Sequence, residues 1–301
     1  MMSAWFFAAL ASPLLWAFTN VADAGIRQNY VRSDLAMTWY VALVRLPIAI
    51  LIIAILANHD IWTLDSLYML LAGLAWTAPI MFYFRAIKSE DPSNIALLVQ
   101  MLPIYTLLIA FILLDEILST TQLTAFVFIL VGGGLAALKR LGQKWHFSSA
   151  FWWITLANVM WATSDVLFKM LETRFENFWI AFALYFLGGT LLVFLIPLLP
   201  NRKNLIFRHF KGIPLKIWGL MTFSNLMGFS GSLTFAYALT LGKASLTAVM
   251  LGFQALFAFI FGLFLYKIFP GMPRETLKKD KILIKGLSLI IILTGLAYLN
   301  S

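Results

Sequence analysis

The residue types best suited to chemistry are scarce in this chain. There is no cysteine, and the three histidines, His59, His146 and His209, all lie in polar stretches between apolar runs. Disulfides and thiolate metal sites are therefore excluded, and no histidine is left for chemistry inside an apolar segment. What stands out instead is a pair of polar stripes. Trp16, Asn20, Asp23 and Arg27 follow one another at spacings of four, three and four, and Asn158, Trp161, Asp165 and Lys169 at three, four and four. Helical periodicity puts each set on one face. A carboxylate flanked by indole rings and amides suits a small cationic or planar solute, because the rings attract cations and the amides hydrogen-bond polar groups. Asp165 is the leading candidate for a cation or ammonium partner. The plainer reading is that Asp165 and Lys169 neutralise each other and that Asp23 pairs with Arg27.

Other apolar stretches add Trp76, Tyr83, Gln100, Asn225, Ser232 and Gln254. Each amide either contacts a solute or locks two helices together. Arg45 lies deep in an apolar run and reads as structural, paired with a carboxylate or with helix-end carbonyls. Glu116 ends a run, which suits a turn-capping or gate-linked role. Pro13 and Pro103 permit kinks. Gly73, Gly228, Gly231, Gly295 and Gly132–Gly134 allow close backbone approach or hinging. No metal or cofactor site is expected.

These residues need elements to hold them. Of the 301 residues, 62% are hydrophobic and 12% charged, with mean hydropathy +0.90. A soluble domain is near ~45–50% and ~25%. An ordinary cytosolic enzyme, a disordered chain and a nucleic-acid binder are excluded despite the net charge of +9. The apolar runs predict ten spans: Ala4–Ile26, Met37–Ala57, Ser66–Ile87, Asn94–Leu114, Gln122–Leu138, Ala150–Leu171, Asn177–Leu199, Ile217–Leu239, Leu246–Ile268 and Ile282–Leu299. A crossing helix needs about 20 apolar residues. Ala22-Asp23-Ala24 looks like a signal cleavage site, but Met1–Ala4 carries no basic residue, so the first span reads as a retained helix. Trp39, Tyr40, Trp62, Trp152, Trp153, Phe178 and Trp179 fit interfacial belts.

The chain reads as two halves, 1–140 and 148–301. Trp16-Ala17-Phe18-Thr19-Asn20-Val21 matches Trp161-Ala162-Thr163-Ser164-Asp165-Val166, and Gly134–Leu138 matches Gly295–Leu299. Five spans per half is odd, so the halves cross in opposite senses. The fold class expected is thus an all-α integral membrane protein of ten helices in two inverted five-helix repeats, an arrangement common in secondary transporters. Charge orients it. The linkers after spans 1, 3, 5, 7 and 9 carry 18 of the 22 Lys and Arg; the opposite side carries Lys169, Arg174 and Lys243. The basic side belongs in the cytoplasm, which puts both termini outside.

The stretch Ala86-Ile87, Ala96-Leu97-Leu98, Leu102-Pro103-Ile104-Tyr105, Asp115-Glu116-Ile117-Leu118, Gln122 and Gly132-Gly133-Gly134 resembles the EamA-type repeat of the drug/metabolite transporter superfamily. Trp16 and Arg45 also fit. The second half fits more loosely: Ala255 stands at the proline position, Lys267-Ile268 at the acid, and the linker is Phe269-Pro270-Gly271-Met272-Pro273. The resemblance implies a permease whose central pathway is lined by spans 1, 3, 4, 6, 8 and 9. It favours export and leaves import open. It also implies cytoplasmic termini, against the charge count.

The expected activity is alternating-access transport of a small metabolite, such as an amino acid, an amine or a related polar solute, across the plasma (inner) membrane. A polyphosphate would want several inward Arg or Lys, and only Arg45 and Lys169 qualify. Proton coupling stays open. The expected partners are the small-molecule substrate and the lipid bilayer, with no nucleic acid and a functional monomer. The alternatives are a flippase of the same fold for a lipid or lipid carrier, then a membrane-embedded enzyme or a channel. The basic linker Gly271–Lys285 could touch anionic lipid.

Overall fold

The computed structural model describes residues 4–56, 61, 63–89, 98–137, 149–269 and 279–299. His59, Trp62, Ala96, Leu97, Leu138, Lys139, Arg140, Lys144, His146, the Pro270–Pro273 linker, Arg274, Lys278 and Ser301 lie outside them. Every regular element among the described residues is helical: α1 Ala4–Asn29, α2 Asp34–Leu56, α3 Leu64–Thr77, α4 Pro79–Ser89, α5 Leu102–Leu114, α6 Thr120–Ala137, α7 Ser149–Glu172, α8 Phe178–Leu195, a short α9 Lys203–Phe207, α10 Leu215–Leu241, α11 Ala244–Val249, α12 Gln254–Ile268 and α13 Lys279–Leu299. The chain is an all-α integral membrane protein. In hydrocarbon only a helix satisfies its own backbone amides segment by segment.

Five segments are long and apolar enough to cross by themselves: Ala4–Asn29, Asp34–Leu56, Leu64–Tyr83, Phe178–Leu198 and Ala244–Ile268. Leu102–Leu114, Thr120–Ala136 and Ile282–Tyr298 are shorter apolar helices. α7 and α10 are long, at 24 and 27 residues, but carry more polar side chains. The apolar side chains that face outward are large, such as Ile112 at 71% exposure and Leu51, Ile55, Phe111 and Ile290. In water such a surface would drive association; against lipid it is solvated.

Helix ends follow from particular residues. Thr63 caps α3 by accepting from the Ser66 amide at 3.3 Å, and Asn177 caps α8 by accepting from Trp179 at 2.8 Å. Asp115 stops α5 in the left-handed region, at φ 52°, with its N–H donating to Ala110. A short acidic side chain tolerates that conformation, and it turns Glu116 back toward the bundle.

Three of the expected spans are interrupted. The third breaks between α3 and α4, where Pro79 opens the second piece. In the fourth, Leu98 and Val99 are helical, Gln100 and Met101 form a turn, and α5 then begins. Pro103 therefore starts a helix and does not kink one internally, because its missing N–H costs nothing in a first turn. In the ninth, a 3₁₀ turn Met250–Phe253 separates α11 from α12 without any proline.

α1 packs along α10 and α12; α7 packs along α3, α4 and α5; α6 packs along α13; and α8 packs along α2 and α3. Small residues set the distances. A Cβ at Gly133 would overlap Gly252, one at Gly295 would crowd Ala125, and one at Gly73 would overlap the Tyr185 carbonyl. Gly134, expected to act the same way, has nothing within 4 Å of an added Cβ. It sits on the helix face away from these contacts. Trp39 and Tyr40 also depart from expectation. They are buried among Phe194, Phe210 and Trp218, whereas Trp152 and Trp179 are exposed, as belt residues should be.

Candidate functional site

The two polar stripes turn toward the opposite half of the chain, and they do so through matching bonds. On α1, the Trp16 indole N–H donates to the Gly228 carbonyl at 3.1 Å, and Thr19, one turn on, donates to Ser224 at 3.1 Å. On α7, the Trp161 indole donates to the Trp76 carbonyl at 2.9 Å, and Ser164, one turn on, donates to Ala72 at 2.7 Å. Both tryptophan acceptors lie four residues after the hydroxyl's acceptor. The repeated Trp-Ala-x-Thr/Ser motif thus makes one contact twice. The stripes face α10 and α3, however, and not each other.

Around α1 and α10 a charged centre forms. Arg45, 5% exposed, donates from Nε to the Asn225 side-chain oxygen at 3.1 Å and lies 5.6 Å from the ring centres of both Trp76 and Phe186. Its Nη1 has no hydrogen-bond partner among the described residues. The expected carboxylate or helix-end partner of Arg45 is therefore replaced by an amide and two rings. Asp23 accepts from the Ser224 hydroxyl at 2.9 Å and is within electrostatic reach of Arg45 and Arg27. Tyr83 is within reach of Arg27 and Asp23. The plain pairing of Asp23 with Arg27 gives way to an ion pair between Arg27 and Asp34.

Asn20 is exposed, about 120–140° around α1 from the exposed Phe7 and Leu14.

Asp165 is 5% exposed and has no hydrogen-bond partner among the described residues. It lies near Tyr185, whose hydroxyl meets Ser164 at 2.7 Å. The expected neutralisation by Lys169 is not formed. Lys169 Nζ instead contacts Glu116 at 2.5 Å and the Gly242 carbonyl at 2.5 Å. Glu116 also accepts from the Ala244 amide at 2.9 Å, which caps α11. Lys243 adds bonds to the Ile117 carbonyl at 2.6 Å and to Gln122 at 2.7 Å. This corner joins the α5–α6 turn, α7 and the α10–α11 turn.

Asn158 donates to the Leu98 carbonyl at 2.8 Å, just before the fourth-span break, so it locks α7 there. The side-chain oxygens of Asn158 and Gln100 lack partners among the described residues. Gln100 sits in that break, and Gln254 opens α12 after the ninth-span break. Discontinuous helices in corresponding positions of two halves are where transporters place binding sites.

The predicted residues thus fall into groups. Asp23, Arg45, Trp76, Tyr83 and Asn225 come together, and Trp161 joins them through its bond to the Trp76 carbonyl and its ring contact with Tyr83; Asp165, on the next turn of α7, and Glu116 lie outside that group. Sequence reasoning did not single out Ser224, Tyr185, Phe186 or Lys243. Thr19 and Ser164 were visible only as letters in the repeated motif.

Residues 3–137 match the model of the EamA-like transporter family. That match covers the N-terminal half of the chain and stops before α7. Members of the EamA family are, in general, membrane transporters or permeases of small solutes. None of the curated proteins matches the chain. A solved crystal structure is similar over 99% of this chain and 96% of its own, with a TM-score of 0.71 at 15% identity. That likeness extends the shared fold through the second half, which the EamA model does not reach.

Proposed function

We propose that the protein is a secondary transporter carrying a small polar metabolite across the plasma membrane by alternating access. Its halves, 1–140 and 148–301, would act as two inverted five-helix repeats. The observation that carries this reading is Asp165, a carboxylate buried two turns before the end of α7 with no hydrogen-bond partner among the described residues. An ionised group in the membrane interior costs about 2.5–3.5 kcal/mol on insertion scales and usually marks a solute or ion path. The paired tryptophan and hydroxyl bonds and the broken fourth and ninth spans support two halves built on one plan.

In this reading Trp16, Asn20, Asp23, Trp76, Tyr83, Gln100, Asn158, Trp161, Asp165, Asn225 and Gln254 line the path. The Glu116–Lys169–Ala244 corner closes one end. The charge bias puts that end outside and the basic linkers in the cytoplasm; a tag at Ser301 found in the cytoplasm would reverse this.

The test is counterflow in proteoliposomes with a panel of labelled amino acids, amines and sugars. Wild-type protein is expected to exchange at least one of them, and Asp165→Asn to lower that exchange at least tenfold. Normal exchange by Asp165→Asn at every pH removes Asp165 from the mechanism. Flipping of a fluorescent lipid with no solute exchange would replace this reading by the flippase.

A further inference from the structure

We propose that Arg45 receives an anionic group of the transported solute, a carboxylate, so that the solutes are organic acids and amino acids and not simple amines. This rests on the transport reading above and narrows its substrate class.

α2 runs from Asp34 to Leu56, and Arg45 is its central residue. At 1.5 Å per residue, about 17 Å of helix lies on either side, so the guanidinium is near the middle of the membrane. There it is 5% exposed. A guanidinium carries five N–H donors that spread in its plane. Nε is satisfied by Asn225 and Nη1 by nothing. A Cβ added to Gly228 would meet Nη2 at 2.9 Å and Thr19 at 3.3 Å, so that arm lies against small groups of α10 and α1.

No carboxylate of the described residues lies within ion-pair distance of Arg45. Asp23 interacts with it at longer range while holding the Ser224 hydroxyl. The charge is thus enclosed by an amide and by the rings of Trp76 and Phe186, with Nη1 buried and unpaired among the described residues. A buried charge without a counter-ion is costly, and an anion at Nη1 relieves that cost through a charge-assisted bond.

The count of cations sets the class. Lys169, the other cation expected to be buried, is occupied by Glu116 and Gly242, and Arg27, within reach of Asp23, is paired with Asp34. One unpaired guanidinium arm suits a monoanion; a phosphate ester or polyphosphate would need more cations. The groups around Arg45 come from α1, α2, α3, α8 and α10, on both sides of the repeat boundary. A solute held there touches both halves, which gives binding a means to bias their movement.

The test uses matched probes on the detergent-purified full chain. Binding is read by ligand-induced thermal stabilisation for a set of α-amino acids and 2-oxo acids, each beside its carboxamide and, for the amino acids, its decarboxylated amine. Wild type is expected to bind at least one acid, with the amide and amine at least tenfold weaker. Arg45→Gln should bind acid and amide alike, and Arg45→Lys should keep part of the preference. The proposal is overturned if amides or amines bind wild type within threefold of the acids, if no acid binds, or if Arg45→Gln keeps the full preference. Should Arg45→Gln fail to fold, the wild-type acid-to-amide ratio still decides. Counterflow separates the two readings: exchange of amines without acid preference sinks the role of Arg45 and leaves transport standing, whereas no exchange of any probe sinks transport itself.

Discussion

Two charged regions of this protein, both inside the helical bundle or at its end, are built on opposite terms. At the Glu116 corner, every charge has an answer. Glu116 takes the Lys169 ammonium and the Ala244 amide, and Lys169 also takes the Gly242 carbonyl. At the Arg45 centre, the charge is more deeply buried, yet one arm is left unpaired among the described residues and the nearest acid is engaged elsewhere. A satisfied network fixes elements against one another, while an unsatisfied one is a place for something else to bind. The first therefore reads as a latch that holds the α5–α6 turn against the α10–α11 turn, and the second as a receptor.

The comparison breaks most readily at the latch. Glu116→Ala strands a partly buried ammonium and a helix-end amide, and is expected to cost about 2–4 kcal/mol. Denaturant unfolding in mixed micelles reads it, and a change under 0.5 kcal/mol would show that the corner holds nothing. A smaller effect separates the two acids near Lys169. A double-mutant cycle of Glu116→Gln with Lys169→Met should give a coupling of about 1–2 kcal/mol, and the same cycle with Asp165→Asn about zero. Coupling to Asp165 instead would restore the simple i to i+4 pair.

The tryptophans come next. Trp16→Phe and Trp161→Phe each remove one indole bond to a carbonyl and should each cost about 1 kcal/mol. Unequal costs, by more than about 1 kcal/mol, would argue against equivalent roles. The smallest effects concern Arg45 and Gly134. Arg45→Gln loses a bond but also removes an unpaired buried charge, so its stability should stay within about 1 kcal/mol of wild type, unlike Glu116→Ala. Gly134→Ala meets no neighbour and should change stability by less than about 0.5 kcal/mol; the intact melting curve is the check.

Much of this was open to a reader of the sequence. Hydropathy alone demanded a membrane protein, since no other environment accommodates 62% hydrophobic residues in such long runs. The 3.6-residue period put Trp16 with Asp23 and Trp161 with Asp165 on helix faces. The repeated Trp-Ala-x-Thr/Ser letters pointed to an equivalence that the bonds to Gly228, Ser224, Trp76 and Ala72 then expressed. The family resemblance, read on scattered residues between Ala86 and Gly134, holds for residues 3–137.

What the tertiary structure decided is partnership. From spacing, Lys169 belonged to Asp165, and only the fold brings Glu116 to it from 53 positions away. Arg45 looked like a residue awaiting a carboxylate; Trp76 from the next helix and Phe186 and Asn225 from far along the chain meet it instead. The break before Gln254 has no proline to announce it, because it arises where Gly252 packs against Gly133. Local periodicity fixes which way a side chain points along its own helix. What it meets there depends on contacts hundreds of residues apart, and those exist only once the helices are packed.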